Sequence, residues 1–184
     1  RELYVTDGTS SGTYLVKDIY SGYKDANPSS LTSFNDSLLL FIANDGKRGS
    51  ELMITDGTSA NTKMVKEFGD GAASGGVGQL AEGNGVVFFT AKDTNGNELW
   101  KTDGTEKGTV LVKDIVPGKD GSLPWDMTFH PGLNKVFFVA FDSTHGKELW
   151  ISDGTTKGTQ LVKDIYPGKE SSNITHFTVT DKTI

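Results

Sequence analysis

Apolar residues along the chain come in short runs, each stopped by a cluster of Gly, Asp, Asn, Ser or Pro, the pattern of strands joined by tight turns. In one representative stretch, residues 98–102 alternate, Leu99 on one face and Trp100 on the other, and the run stops at Asp103-Gly104, a dipeptide that tolerates positive φ. Residues 109–115 follow with β-branched Val110, Val112 and Ile115 and end at Pro117-Gly118, so the two runs predict a hairpin. A polar connection leads to a third strand, seen at 31–34 and 127–129. Short turns at 35–37 and 130–134 lead on to a fourth. That fourth strand is apolar throughout, at 38–43, 86–91 and 136–140, which predicts burial on both faces. It closes in a turn with a Gly (Gly49, Gly96, Gly146) and runs into the next unit. No stretch carries the helical period and caps.

The whole pattern recurs. ELWKTDGTEKGTVLVKDIVPG, from Glu98, returns as ELYVTDGTSSGTYLVKDIYSG from Glu2, ELMITDGTSANTKMVKEFGDG from Glu51 and ELWISDGTTKGTQLVKDIYPG from Glu148. Its aspartates fall at Asp7, Asp56, Asp103 and Asp153, steps of 49, 47 and 50 residues, a period in the range of propeller blades. The expected fold is all-β, a β-propeller built of four-stranded antiparallel blades. Residues 1–184 form one repeat domain or part of one, in units of about 2–50, 51–97, 98–147 and an incomplete 148–184. Reading each blade as third, fourth, first and second strand gives three blades near 31–68, 78–116 and 125–166. A hairpin at 2–20 and a third strand at 174–180 are left over. The ends could meet in a small four-bladed ring, but a missing strand would leave an unpaired edge, so an arc of a larger propeller is expected.

Charge narrows the function. The formal net charge is −6, against nucleic-acid binding, which needs a basic stripe to displace counterions. No apolar run approaches the roughly 20 residues of a membrane span. There are no cysteines, hence no disulfide framework and no thiolate metal site. The first residues already lie inside a unit, so the sequence reads as an excerpt of a longer polypeptide.

Glu98-Leu99-Trp100 with Asp103-Gly104-Thr105, and Glu148-Leu149-Trp150 with Asp153-Gly154-Thr155, resemble the bacterial ELWxxDGT repeat family over essentially the whole chain. Two copies depart from the pattern. Tyr4 and Met53 stand in place of Trp, and the second copy also has Glu67 for Asp and lacks the Pro-Gly. Exchange of one bulky apolar residue for another suits a packing position. The resemblance implies a propeller-like region of a secreted or cell-surface bacterial protein, a scaffold or adhesin.

Candidate chemistry is weighed against turn chemistry. Asp7, Asp56, Asp103 and Asp153 could form a carboxylate ring for Ca²⁺, a hard cation that takes oxygen ligands. Their presence in every unit favours turn-fixing aspartates that accept their own backbone N–H groups. Asp93, Asn95 and Asn97 place oxygens at alternate positions and are the Ca²⁺ candidate, without the later Glu of a calcium loop. The Glu of each unit and the Lys of Lys17-Asp18, Lys113-Asp114 and Lys163-Asp164 are expected to pair across adjacent strands. His130, His145 and His176 form no metal spacing. Trp100 and Trp150 read as blade packing, and Trp125, after Pro124 and outside the repeat, as the candidate exposed aromatic.

The expectation is a non-catalytic surface scaffold that binds protein or glycan, or other domains of its own longer chain, through loops at 21–30, 69–78 and 119–125. The alternatives are a propeller of a polysaccharide-acting hydrolase or lyase, and a structural repeat of a surface assembly.

Overall fold

A computed structural model describes residues 1–176 and 178–180. Turn residues cut the chain into fourteen strands and, among the described residues, no helix. The first two, β1 (Leu3–Val5) and β2 (Tyr14–Lys17), form an antiparallel hairpin. Three four-stranded meanders follow, each antiparallel throughout and in sequence order. The first is β3 (Ser29–Phe34), β4 (Leu38–Asn44), β5 (Ser50–Thr55) and β6 (Lys63–Lys66). The second is β7 (Gly78–Gly83), β8 (Val86–Asp93), β9 (Gly96–Thr102) and β10 (Val110–Lys113). The third is β11 (Trp125–His130), β12 (Lys135–Asp142), β13 (Gly146–Ser152) and β14 (Gln160–Lys163). These are propeller-type blades in the expected frame, and the sheets do not close into a ring.

Their order follows from packing. The first strands β3, β7 and β11 neighbour one another, so they form the inner edge of the arc and the β6, β10 and β14 edges lie outside. The apolar second strand faces two neighbours, as its composition requires. In β4, Phe41 packs with Leu3, Val16 and Ile19 of the first hairpin. Leu40 of the same strand turns the other way, to Val87, Phe89 and Trp100 of the second blade. Between the second and third blades, Phe88, Leu99 and Val112 meet Val136, Phe138 and Trp150. The core is thus a series of inter-blade layers, and Trp100 and Trp150 are packing residues in it.

Two expected elements come out differently. The outer strand at 109–115 shrinks to Val110–Lys113, because the amides of residues beyond it turn inward to a buried carboxylate, described below. The described residues of the stretch expected as a strand at 174–180 are not assigned to a strand, and Phe177 lies outside them.

Candidate functional site

The signature closes on itself. Asp103 Oδ1 accepts the Thr105 amide at 2.9 Å and the Thr105 hydroxyl at 2.7 Å. Asp7, Asp56 and Asp153 do the same with Thr9, Thr58 and Thr155. These four carboxyls are held below the ordinary carboxylate range, chiefly by the threonine hydroxyls and then by the amides. The threonine at the far side of each turn donates to the carbonyl of the turn threonine, Thr109 to Thr105 at 2.6 Å. Its one proton is thereby engaged, so Thr102, 2.7 Å away, must donate to it while accepting the Gly104 amide at 3.0 Å. The aspartates are turn-fixing residues, each engaged within its own hairpin.

Glu2, Glu51, Glu98 and Glu148 do something the sequence reading missed. Among the described residues they pair with no lysine. Each carboxylate accepts backbone amides from the segment that crosses from one blade to the next. Glu98 Oε1 takes the Val116 amide at 3.0 Å and the Ser122 amide at 2.9 Å, and Oε2 takes the Ser122 hydroxyl. Glu2 takes Ile19, Tyr20 and Ala26, Glu51 takes Phe68 and Gly69, and Glu148 takes Ile165, Tyr166 and Ser172. Burial lifts the Glu98 and Glu51 carboxyls above their ordinary value. The Ser122 hydroxyl and backbone amides counter this at Glu98, and the amides of Gly69 and Phe68 at Glu51. The residue at the pinned point, 24 positions after the glutamate, is Ala26, Ser122 or Ser172, and in the second unit Gly75. That run of small residues was the available signal.

The lysines join neighbouring blades. Lys17, Lys66 and Lys113 donate Nζ to the carbonyls of Thr62, Thr109 and Thr159 in the following unit, at 2.6, 3.2 and 2.8 Å. Lys66 and Lys113 also lie over the Trp100 and Trp150 rings at 5.2 and 5.7 Å. An expected intra-blade ion pair is therefore an inter-blade tie to a carbonyl.

What differs between blades gathers at the junction clefts. One, of about 410 Å³, is lined by Phe68, Asp70, Ser74, Lys92, Asp93 and Thr94. The equivalent cleft one blade on, of about 450 Å³, is lined by Lys113, Pro117, Asp142, Thr144, His145 and Trp150. Their rims are the hairpins between second and third strands, and each hairpin is clamped by its own Asp. Asp45 holds the Arg48 guanidinium at 2.8 Å, Asp93 Oδ2 the Asn95 amide at 3.1 Å, and Asp142 the His145 imidazole at 2.8 Å. The Asp142 contact holds His145 above its ordinary value. Asp93 Oδ1 also accepts the Asn95 amide N–H, so both its oxygens face its own turn. Asn97 sits in β9 paired with Lys92, its carbonyl accepting the Leu123 amide at 3.0 Å. Two members of the Ca²⁺ candidate, Asp93 and Asn95, are thus bonded to each other within their own turn. No group of three or more His, Cys, Asp or Glu side chains converges among the described residues.

Trp125 opens β11 on the inner edge, half-buried, with Lys147 Nζ 5.1 Å over its ring. The equivalent residues Ser29 and Gly78 are small, so this pair belongs to the third blade alone. Next to it, Ser30, Gln79, Asp126 and His176 all take positive φ, 51 to 56°. The first three stand at inner-strand bulges. Gln79 Oε1 accepts the Asp126 amide at 3.0 Å, and Asp126 Oδ2 accepts the His176 amide, a step from blade to blade. Period arithmetic aligns these four residues, but only their backbone shows why they matter.

No protein-family model matches the chain, and no curated relative matches it. Among solved structures it is similar to TolB from Acinetobacter baumannii, with 14% identity, TM-score 0.50 and 82% of this chain aligned to 34% of that one. An acylaminoacyl peptidase from Pyrococcus horikoshii matches at 18% identity and TM-score 0.50, over 78% of this chain and 21% of that one. A puromycin hydrolase matches at 16% identity and TM-score 0.58, over 94% of this chain and 25% of that one. These likenesses show the propeller fold. The chain spans at most about a third of the length of these proteins.

Proposed function

We propose that the chain is a non-catalytic propeller scaffold of a bacterial extracellular or cell-surface protein, binding protein or glycan at the rims of its junction clefts. One observation carries this reading. The Asp and Thr of each Asp-Gly-Thr turn, the repeated Glu and the first three repeated lysines are engaged within or between blades. The polar groups that vary, among them Asp70, Ser74, Thr94, Thr144 and His145, line open clefts of a size that holds small ligands or side chains. The ELWxxDGT resemblance supports the surface location. A repeated framework of turns and crossovers with variable rims is the division of labour expected of a display scaffold.

A second reading, an accessory propeller of a hydrolase or lyase, is favoured by the peptidase and the puromycin hydrolase among the similar structures. Its partners would be other domains of the same polypeptide. Binding of the immobilised chain to a glycan array and to bacterial surface-protein extracts tests the first reading. Specific binding is expected, lost when residues 70–74 and 142–145 are replaced by Gly-Ser sequence and retained in Trp125→Ala. Turnover of a polysaccharide by the chain alone, or binding indifferent to both replacements, would overturn it.

A further inference from the structure

One of the junction clefts carries a charge that the others lack. It lies between the β1–β2 hairpin and the first blade and holds about 250 Å³. Lys17, Asp45, Arg48 and Met53 stand there at the repeat positions of Lys113, Asp142, His145 and Trp150 in the cleft between the second and third blades. That second cleft is flanked by complete four-stranded sheets and is open too, so the opening belongs to the junction itself.

Four cations line the first cleft, Lys17, Lys47, Arg48 and Lys63, against one acid, Asp45. In the chain as a whole acids outnumber bases, 24 to 18, so this excess runs against the rest of the molecule. The other two clefts do not share it. Lys92 lines one with Asp70 and Asp93, and Lys113 lines the other with the paired Asp142 and His145. Two positions make the difference. Where this cleft has Lys47 the next units have Thr94 and Thr144, and where it has Lys63 they have Val110 and Gln160.

Partners separate the four cations. Arg48 is engaged inside the protein, its guanidinium held by Asp45 Oδ2 at 2.8 Å and by Glu67 Oε2 at 3.3 Å. Lys17 donates to the Thr62 carbonyl at 2.6 Å. Lys47 on the rim hairpin and Lys63 at the start of β6 are exposed and make no ion pair among the described residues. Ile19, Met53 and Met64 add an apolar lining. Ammonium groups with no local carboxylate attract an external anion. The volume lies below the ~300–1,000 Å³ of drug-sized pockets, which suits a single sugar ring better than an element of a folded protein.

We propose that this cleft binds an acidic sugar residue of a glycan, a uronate or a sulfated unit. Its anionic group sits at Lys47 and Lys63, and its C–H face lies on Met53 and Met64, flexible side chains that adapt to an irregular surface. The choice of a glycan rests on the scaffold reading above. The site itself does not, because it lies apart from residues 70–74 and 142–145, whose replacement tests that reading.

Isothermal titration of the chain with an oligogalacturonate, a sulfated chondroitin oligosaccharide and a neutral cello-oligosaccharide tests the proposal. Binding of at least one acidic probe and not of the neutral one is expected. It should weaken at least about tenfold in Lys47→Glu with Lys63→Glu, and also when salt is raised from about 0.05 to about 0.5 M. Both lysines are exposed, so circular dichroism should show the double variant folded. Lys107→Glu with Lys157→Glu makes the same change of charge on turns outside the cleft and should leave the affinity unchanged. Binding of neither acidic probe would overturn the proposal, as would equal binding of the neutral one. So would binding of poly-L-glutamate alone, which would make the cleft a protein contact. Acidic-sugar binding lost on replacing residues 70–74 or 142–145 but kept in Lys47→Glu with Lys63→Glu would overturn this site and leave the scaffold reading standing.

Discussion

Asn61 donates its side-chain amide to Asp56 Oδ2 at 2.6 Å, at the position where the other three units carry glycine. A Cβ built on Gly12, Gly108 or Gly158 would stand 1.9, 2.1 or 2.0 Å from the nearest atom of the Asp7, Asp103 or Asp153 carboxylate. That carboxylate cannot swing away without loosening its two bonds to threonine. The position accordingly accepts either no side chain or one that donates to the displaced oxygen.

Gly108→Ala should destabilise the chain by about 1–2 kcal/mol, by loosening the Asp103 turn. Gly108→Asn should cost less, because the amide can repeat the Asn61–Asp56 bond. Urea unfolding of the two variants checks the order. If loss of unfolded-state entropy governed this site, alanine would be the better tolerated of the two, and that order would refute the steric account.

Glu98 is fully buried and gathers two backbone amides and a hydroxyl, so its removal should be costly. Glu98→Ala orphans the Val116 and Ser122 amides and the Ser122 hydroxyl, with an expected loss of about 3 kcal/mol or more. Glu98→Gln keeps an oxygen for the amides and should lose less. The pH dependence follows from burial, which raises the folded-state value above the ordinary 4.5. Stability tied to the protonated carboxyl is complete below the unfolded value and is lost as pH rises through the folded value. Glutamine does not titrate. The gap between parent and Glu98→Gln should therefore narrow as pH rises above the ordinary carboxyl value in denaturant titrations. A gap that widens would place the folded value below the unfolded one.

Much of this architecture was legible and some was not, for physical reasons. Strand positions, blade frame and turn chemistry could be read because they depend on local patterns, such as the apolar run at 38–43 and the Asp103-Gly104 stop. The partners of Glu98 and Lys113 could not. Both side chains act far along the sequence, Glu98 across 24 residues on the crossover at Ser122 and Lys113 across 46 on Thr159 of the next blade, and their chemistry suits a cross-strand ion pair equally well. The inner bulge at Asp126 was hidden for another reason. Its equivalents Ser30 and Gln79 are not residue types favoured at positive φ, so the repeat carries no common compositional mark there.

Lys113→Met isolates the inter-blade tie, since the aliphatic stem is kept while the bond to Thr159 O and the cation over Trp150 are lost. A loss of about 1–2 kcal/mol is expected. It should appear as faster hydrogen exchange at the junction of the second and third blades, with the β4–β5 amides unchanged. A uniform acceleration through all blades would mean that the layers do not open separately.

Asp93 tests whether the rim hairpins hold an ion or hold themselves. Both its oxygens accept bonds from Asn95. Asp93→Ala should cost about 1 kcal/mol through the lost turn bonds. The cost should be the same with millimolar Ca²⁺ and with chelator, because a clamp within one hairpin needs no cation. Thermal unfolding under the two conditions decides the matter. A Ca²⁺-dependent rise in Tm present in the parent and absent from Asp93→Ala would show that the turn opens to bind the ion, and the hairpin would then be a metal site after all.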